Sequence, residues 1–257
     1  MLDEIKITRV IIETYLKDFN RYLESDVIIC GAGPAGLAAG YYLAKSGVRT
    51  VILEKHLRPG GGLTGGGMMF NKIVVDEEGK KILEEFGIGY EKYEENYYVA
   101  CALETLGALV YQTLKKGAKI FNLITVEDLL FHNGKIFGVV INWTAVNLAN
   151  LHIDPMTMRA KFVVDATGHN CELVRILEKK MGDILFTPTG RIIGEKLMDA
   201  EKGEKFTVEN TREVYYNLFV CGMAVNAVFG GPRMGPVFSS MLISGKKVAE
   251  IIKEKLR

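Results

Sequence analysis

Four apolar residues, Val27-Ile28-Ile29-Cys30, run into Gly31-Ala32-Gly33-Pro34-Ala35-Gly36 and then into the helix-like stretch Leu37–Lys45. A second apolar run, Arg49–Leu53, ends at Glu54. The unit reads as β-α-β over roughly 30 residues. Few other patterns constrain a fold as tightly. Gly31 permits the tight turn, Gly33 lets the backbone approach a pyrophosphate, and Gly36 permits close helix packing. The helix N-terminus then faces the phosphates. Glu54 stands where a carboxylate binds an adenosine ribose hydroxyl and disfavours a 2′-phosphate. A Rossmann-like α/β fold with a bound adenine dinucleotide is expected.

The rest of the chain is read around this unit. Apolar residues at Ile5, Ile12, Tyr15, Leu16, Phe19 and Leu23 give an amphipathic helix over 4–24, packed on the domain or on a neighbouring subunit. Residues 25–70 form the nucleotide-binding unit, closed by a glycine-rich loop over 59–70. Helices are expected over 77–86, 100–116, 171–182 and 238–255, and 90–98 reads as a polar link. Residues 118–165 form a β-rich insert whose His132-Asn133-Gly134 marks a hairpin turn. Residues 144–158 connect to a buried strand over 161–166, and 206–220 hold a strand. No linker interrupts the chain, so 1–257 is read as a single α/β domain with an inserted antiparallel sheet.

Glycine reaches 28 of 257 residues, and fifteen of these lie in 31–47, 60–67 and 222–235. Such clustering signals backbone brought close to a ligand rather than general looseness. The net charge of +1 argues against broad attraction to nucleic acid or membrane. Four cysteines without a CxxC pair suggest neither a disulfide framework nor a zinc site. With no signal-peptide pattern and no long apolar run, a cytoplasmic setting is expected.

The dinucleotide could be FAD or NAD. Ala39, Gly47 and Glu54, with Asp165-Ala166-Thr167-Gly168, look like the flavoprotein branch of the fold, of glutathione reductase-like type. Flavoproteins of that type carry a later Gly-Asp whose acid binds the ribityl chain. Here Gly222 is followed by Met223, which speaks against bound flavin. Two further groups carry chemistry. His152-Ile153-Asp154-Pro155 and Gly168-His169 offer imidazole and carboxylate, a donor set suited to a divalent first-row metal such as Fe(II). The same residue types also serve in plain loop structure. Arg233, between Gly231 and Gly235, can clamp a carboxylate or phosphate in a bidentate manner, or can be satisfied by a structural carbonyl or acid.

Together GAGPAG (31–36), Glu54-Lys55, GGGLTGGGMMF (60–70), HIDP (152–155), DATGH (165–169) and GMAVNAVFGGPRMGPVF (222–238) resemble the Thi4-type thiazole synthase family, in its archaeal sulfide-using branch. The resemblance implies an ADP-thiazole synthase that consumes NAD and glycine, takes sulfide, uses Fe(II) and releases nicotinamide. It implies nucleotide contacts at Ala35, Glu54, Lys55, Gly62, Val126 and Met223, and glycine contacts at Arg233 and Gly235. Asp154 and His169 are the implied metal ligands, supplied by adjacent subunits of a homo-octamer. The eukaryotic branch carries a sulfur-donating cysteine where this chain has His152. Imidazole has no sulfur to give, so free sulfide and repeated turnover are expected. His152 is a candidate acid–base or orienting group, since imidazole titrates near neutral pH; a structural role is the other reading. An FAD-dependent oxidoreductase and a ribose-1,5-bisphosphate isomerase-type enzyme are the alternatives.

Overall fold

A computed structural model describes all 257 residues. The chain begins with α1 (Glu4–Tyr22), capped by Asp3, whose carboxylate accepts the Lys6 N–H. The β-α-β unit follows as β1 (Glu24–Cys30), α2 (Pro34–Lys45) and β2 (Thr50–Glu54). Next come β3 (Lys72–Val75), α3 (Glu77–Phe86), β4 (Tyr90–Glu94), β5 (Tyr97–Cys101), α4 (Ala102–Lys115) and β6 (Lys119–Asn122). The middle holds β7 (Ile124–His132), β8 (Lys135–Trp143), α5 (Thr144–Leu148) and β9 (Met156–Asp165). The chain closes with α6 (Glu172–Met181), α7 (Ala200–Asn210), β10 (Arg212–Tyr215), β11 (Leu218–Val220), α8 (Met223–Phe229) and α9 (Ser239–Leu256).

The main sheet runs β10-β11-β9-β1-β2-β6. All neighbours are parallel except β10, which pairs antiparallel with β11. The central strands are apolar on both faces, as a doubly covered parallel sheet requires. Alternate residues feed two cores. Val27 and Ile29 join Ile52, Val164 and Phe219 beneath α2, α4 and α9. Ile28 and Cys30 join Val51, Leu53, Val163 and Val220 on the opposite face, with α6 and α8. This period-two partition is the pleat of β1 read directly from burial. Beyond β1 the strand order reverses, to β2 on one side and β9 on the other. Open α/β sheets bind their ligands at the carboxyl ends of such strands.

Several expectations are corrected. The stretch over 90–98 is not a link: β4 and β5 pair antiparallel and join β3 in a separate three-stranded sheet. The β-rich insert is narrower than 118–165. Its first strand, β6, belongs to the parallel sheet, and β7–β8 is a hairpin attached antiparallel to the first half of β9. The helix α7 occupies residues up to Asn210, where a strand was expected from 206, and α8 arises within the last glycine-rich stretch. The 59–70 loop contains short 3₁₀ turns at Gly61–Gly65 and Gly67–Met69.

The helix α1 meets the rest of the fold only at its C-terminal end. There Tyr15 and Phe19 pack against Phe121 and Trp143. Its earlier residues Ile5, Ile11 and Ile12 are exposed. No helix is long and apolar enough to cross a membrane.

Candidate active site

The three fingerprint glycines do different work. Gly31 has φ +104°, and a Cβ there would sit 2.4 Å from the Ala166 carbonyl oxygen. That contact brings the turn against the end of β9. A Cβ on Gly36 would sit 2.0 Å from the Gly31 carbonyl oxygen, while one on Gly33 would meet nothing within 4 Å. The first and third glycines are therefore demanded by the fold. Gly33 lines open space at the N-terminus of α2, where helix N–H groups attract an anion. Glu54 closes β2 and is 5% exposed. Its Oε2 accepts the Ala32 N–H at 2.9 Å and its Oε1 the His56 N–H at 2.8 Å. Two bonds leave acceptor positions on the carboxylate for a hydroxyl.

At the end of β9, Asp165 is fully buried and organises the turn that carries His169. Its Oδ1 accepts the Thr167 N–H at 3.0 Å and the Thr167 hydroxyl at 2.6 Å. Its Oδ2 accepts the N–H groups of Leu173 and Val174 at 2.9 and 3.1 Å. Burial pushes the Asp165 carboxyl above its usual range even against these four donors. The His169 Nδ1 lies 2.6 Å from Glu195 Oε1. Nothing in the sequence around Glu195 (Arg191–Asp199) flagged it. It carries no motif, and its partner is 26 residues away.

The third wall comes from the chain after β11. Gly222 has φ +65°, and its N–H donates to Ser244 Oγ at 2.9 Å. Met223, 8% exposed, opens α8. Beyond α8, the Asn226 amide donates to the Pro232 carbonyl at 2.7 Å and accepts the Thr207 hydroxyl at 2.7 Å. The Arg233 N–H donates to the Lys196 carbonyl, and the Arg233 carbonyl accepts the Asp199 N–H. The Arg233 backbone is thus held on both sides, while its guanidinium pairs with no carboxylate of the chain.

These walls enclose one cavity of about 510 Å³. Gly31, Gly33, Ala35, Glu54, Lys55, Gly62, Val126, His169, Met223, Arg233 and Gly235 all line it. Gly36 sits just behind, packed on Gly31. Lys55 pairs with Glu172, a lining residue that sequence reasoning missed. His152 and Asp154 are not brought there. They lie on the exposed segment after α5, between the exposed Leu151 and Pro155, and neither lines the cavity. No group of three or more His, Cys, Asp or Glu side chains gathers as a metal site within the chain.

Three of the four cysteines are poor nucleophiles. Cys30, Cys171 and Cys221 are buried. Burial raises the thiol of Cys171 to about 12 and those of Cys30 and Cys221 well above the usual value. Their thiolate fraction at neutral pH is correspondingly small.

The Thi4 family model matches residues 8–238. The thiamine thiazole synthase of Methanothermobacter thermautotrophicus is 54% identical over 256 residues, covering 100% of this chain and 99% of that protein. That of Pyrococcus abyssi is 53% identical with the same coverage. The crystal structure of Thermovibrio ammonificans THI4 superposes with a TM-score of 0.98 at 47% identity, covering 100% of this chain and 99% of that one. The chain belongs to the Thi4 family.

Proposed function

We propose that this chain is a thiamine thiazole synthase that makes the ADP-linked thiazole precursor of thiamin from NAD, glycine and sulfide with Fe(II), releasing nicotinamide. One observation carries the reading: Glu54, His169 and an Arg233 without a carboxylate partner line a single cavity. The full-length relatives support thiazole synthesis as the reaction.

In this reading the Gly31–Gly36 turn and the start of α2 hold the pyrophosphate of NAD, and Glu54 accepts a ribose hydroxyl. Ala35, Lys55, Gly62, Val126 and Met223 flank the nucleotide. Met223 supplies no carboxylate for a ribityl chain, which favours NAD over a flavin. NAD is a substrate: its glycosidic bond breaks and nicotinamide leaves. Arg233, with Gly235, receives the carboxylate of glycine through its forked N–H groups. Held there, the glycine amine is oriented towards the ribose-derived carbonyl with which it condenses, and the entropic cost of that encounter is met on binding. His152, which lies outside the cavity of its own chain, is the candidate proton-transfer group only as supplied by a second copy.

Imidazole and carboxylate suit Fe(II), so the donor chemistry of His169 and Asp154 fits that ion. One chain alone does not gather a full set, and in this reading Asp154 comes from a second copy. Bound Fe(II) would supply Lewis-acid stabilisation of developing charge. The exposed Leu148, Leu151 and Ile153 around Asp154, and Ile5, Ile11 and Ile12 of α1, support assembly with other copies, which the family resemblance makes an octamer. The buried, poorly ionised cysteines support free sulfide as the sulfur source. The reading also has the enzyme working in the cytoplasm without nucleic-acid or membrane partners.

Incubation of the protein with NAD, glycine, sulfide and Fe(II) without oxygen tests the reading. Free nicotinamide and an ADP-thiazole carboxylate are expected. A yellow protein carrying stoichiometric flavin, inert towards NAD, would favour the oxidoreductase instead.

A further inference from the structure

The carboxylate facing His169 has no other cationic partner. Glu195 pairs with His169 alone, and its side chain is 18% exposed. Its backbone is fastened on both sides. The N–H groups of Ile193 and Gly194 donate to the carbonyls of Val228 and Ala227 at 3.0 and 2.9 Å, and that of Lys196 donates to the Gly231 carbonyl at 3.0 Å. Lys196 also bridges in parallel to Pro232. The carboxylate is therefore presented from a rigid segment rather than from a mobile loop.

The contact is made at Nδ1. A neutral imidazole that donates Nδ1–H to a carboxylate keeps its lone pair on Nε2, and the hydrogen bond fixes the plane of the ring. The turn beneath it is fixed independently by the four donors to Asp165. Two supports converge on one side chain: Asp165 sets where the residue sits, and Glu195 engages Nδ1 of its ring.

We infer that Glu195 is a positioning residue that holds His169 as the Nδ1–H tautomer, so that Nε2 is the nitrogen offered to a divalent metal. The inference rests on the reading of His169 as a metal ligand. It adds a residue that no motif marks, and it gives the segment 193–199 a double task. Through Lys196 and Asp199 the same segment holds the backbone of Arg233.

The test measures metal affinity and needs no turnover. The full-length assembly, loaded anaerobically with Co(II) as a spectroscopic stand-in for Fe(II), is titrated against a chromophoric chelator. Wild type is compared with Glu195→Gln, Glu195→Ala and His169→Ala. Removing a carboxylate behind a ligating histidine weakens metal binding by roughly 10–100-fold. Glu195→Ala should show that loss and altered visible Co(II) bands. Glu195→Gln keeps an acceptor for Nδ1–H without the charge and should fall between Glu195→Ala and wild type. Metal-free melting temperatures of the variants report folding separately. A Glu195→Ala protein that binds Co(II) with wild-type affinity and spectrum overturns the inference. If His169→Ala binds as tightly as wild type, His169 is no ligand, and both the underlying reading and the inference fall.

Discussion

A methyl group on Gly36 would lie 2.0 Å from the carbonyl oxygen of Gly31, whereas one on Gly33 would touch nothing within 4 Å. The two glycines of one motif thus answer to different constraints, one to the fold and one to the ligand. Gly36→Ala should destabilise the protein by about 1–3 kcal/mol or more, as overpacking does. Gly33→Ala should melt within a degree or two of wild type but bind NAD at least roughly tenfold more weakly, a loss of ~1.4 kcal/mol. Thermal unfolding and NAD titration check the pair. Equal melting losses in both would contradict it.

The buried Asp165 carboxylate answers four donors. In Asp165→Asn one oxygen becomes an NH₂ group that cannot accept. Each buried N–H then left without a partner costs about 1–3 kcal/mol. Urea unfolding should show a loss of at least about 2 kcal/mol. A loss below ~0.5 kcal/mol would mean that the turn is held by other contacts.

Glu204 of α7 accepts both the N–H and the hydroxyl of Ser240 at the start of α9. Burial raises its carboxyl from the ordinary 4.5 to about 7. A folded-state value above the unfolded one means that the folded form holds its proton longer. The stability contributed is complete below pH 4.5 and is lost as pH rises through about 7. Relative to Glu204→Gln, wild type should therefore lose stability across that interval and track the variant in parallel above it. Melting curves at a series of pH values check the sign; a wild type that gains on the variant as pH rises would contradict it.

The Thr207 hydroxyl donates to the Asn226 amide oxygen, and the NH₂ group of that amide donates to the Pro232 carbonyl next to Arg233. Arg233→Lys keeps a charge but loses the fork and should raise the KM for glycine by roughly 10–100-fold, leaving the KM for NAD near wild type. Thr207→Val should act through the loop, with a smaller rise in glycine KM and a stability loss of about 1–2 kcal/mol. Equal effects of Arg233→Lys on both substrates would remove the glycine assignment.

What the sequence revealed was local. The strand, the glycine turn, the helix and Glu54 fall within one β-α-β unit, so their spacing predicts their geometry. His169 was legible for a similar reason, because it follows a buried strand beside that turn. The β4–β5 hairpin escaped notice because Tyr90–Glu94 is largely exposed and polar, and alternation in so short a run is faint. Buried on every side, α8 shows no amphipathic period. Glu195 and Glu172 reach the site only through tertiary packing, which no spacing rule encodes. The pairing of Asp154 with His169 came from family resemblance, and the fold of one chain does not bring them together.

The central claim is that the dinucleotide is consumed and that the sulfur comes from solution. One anoxic incubation with Fe(II), NAD and glycine, with isotopically labelled sulfide present or absent, followed by mass spectrometry of both small molecules and protein, addresses it directly. The account predicts nicotinamide release, label in the ADP-thiazole product over several turnovers, and an unchanged protein mass. Unlabelled product matched by loss of one sulfur from the protein, or intact NAD with all components present, would contradict it.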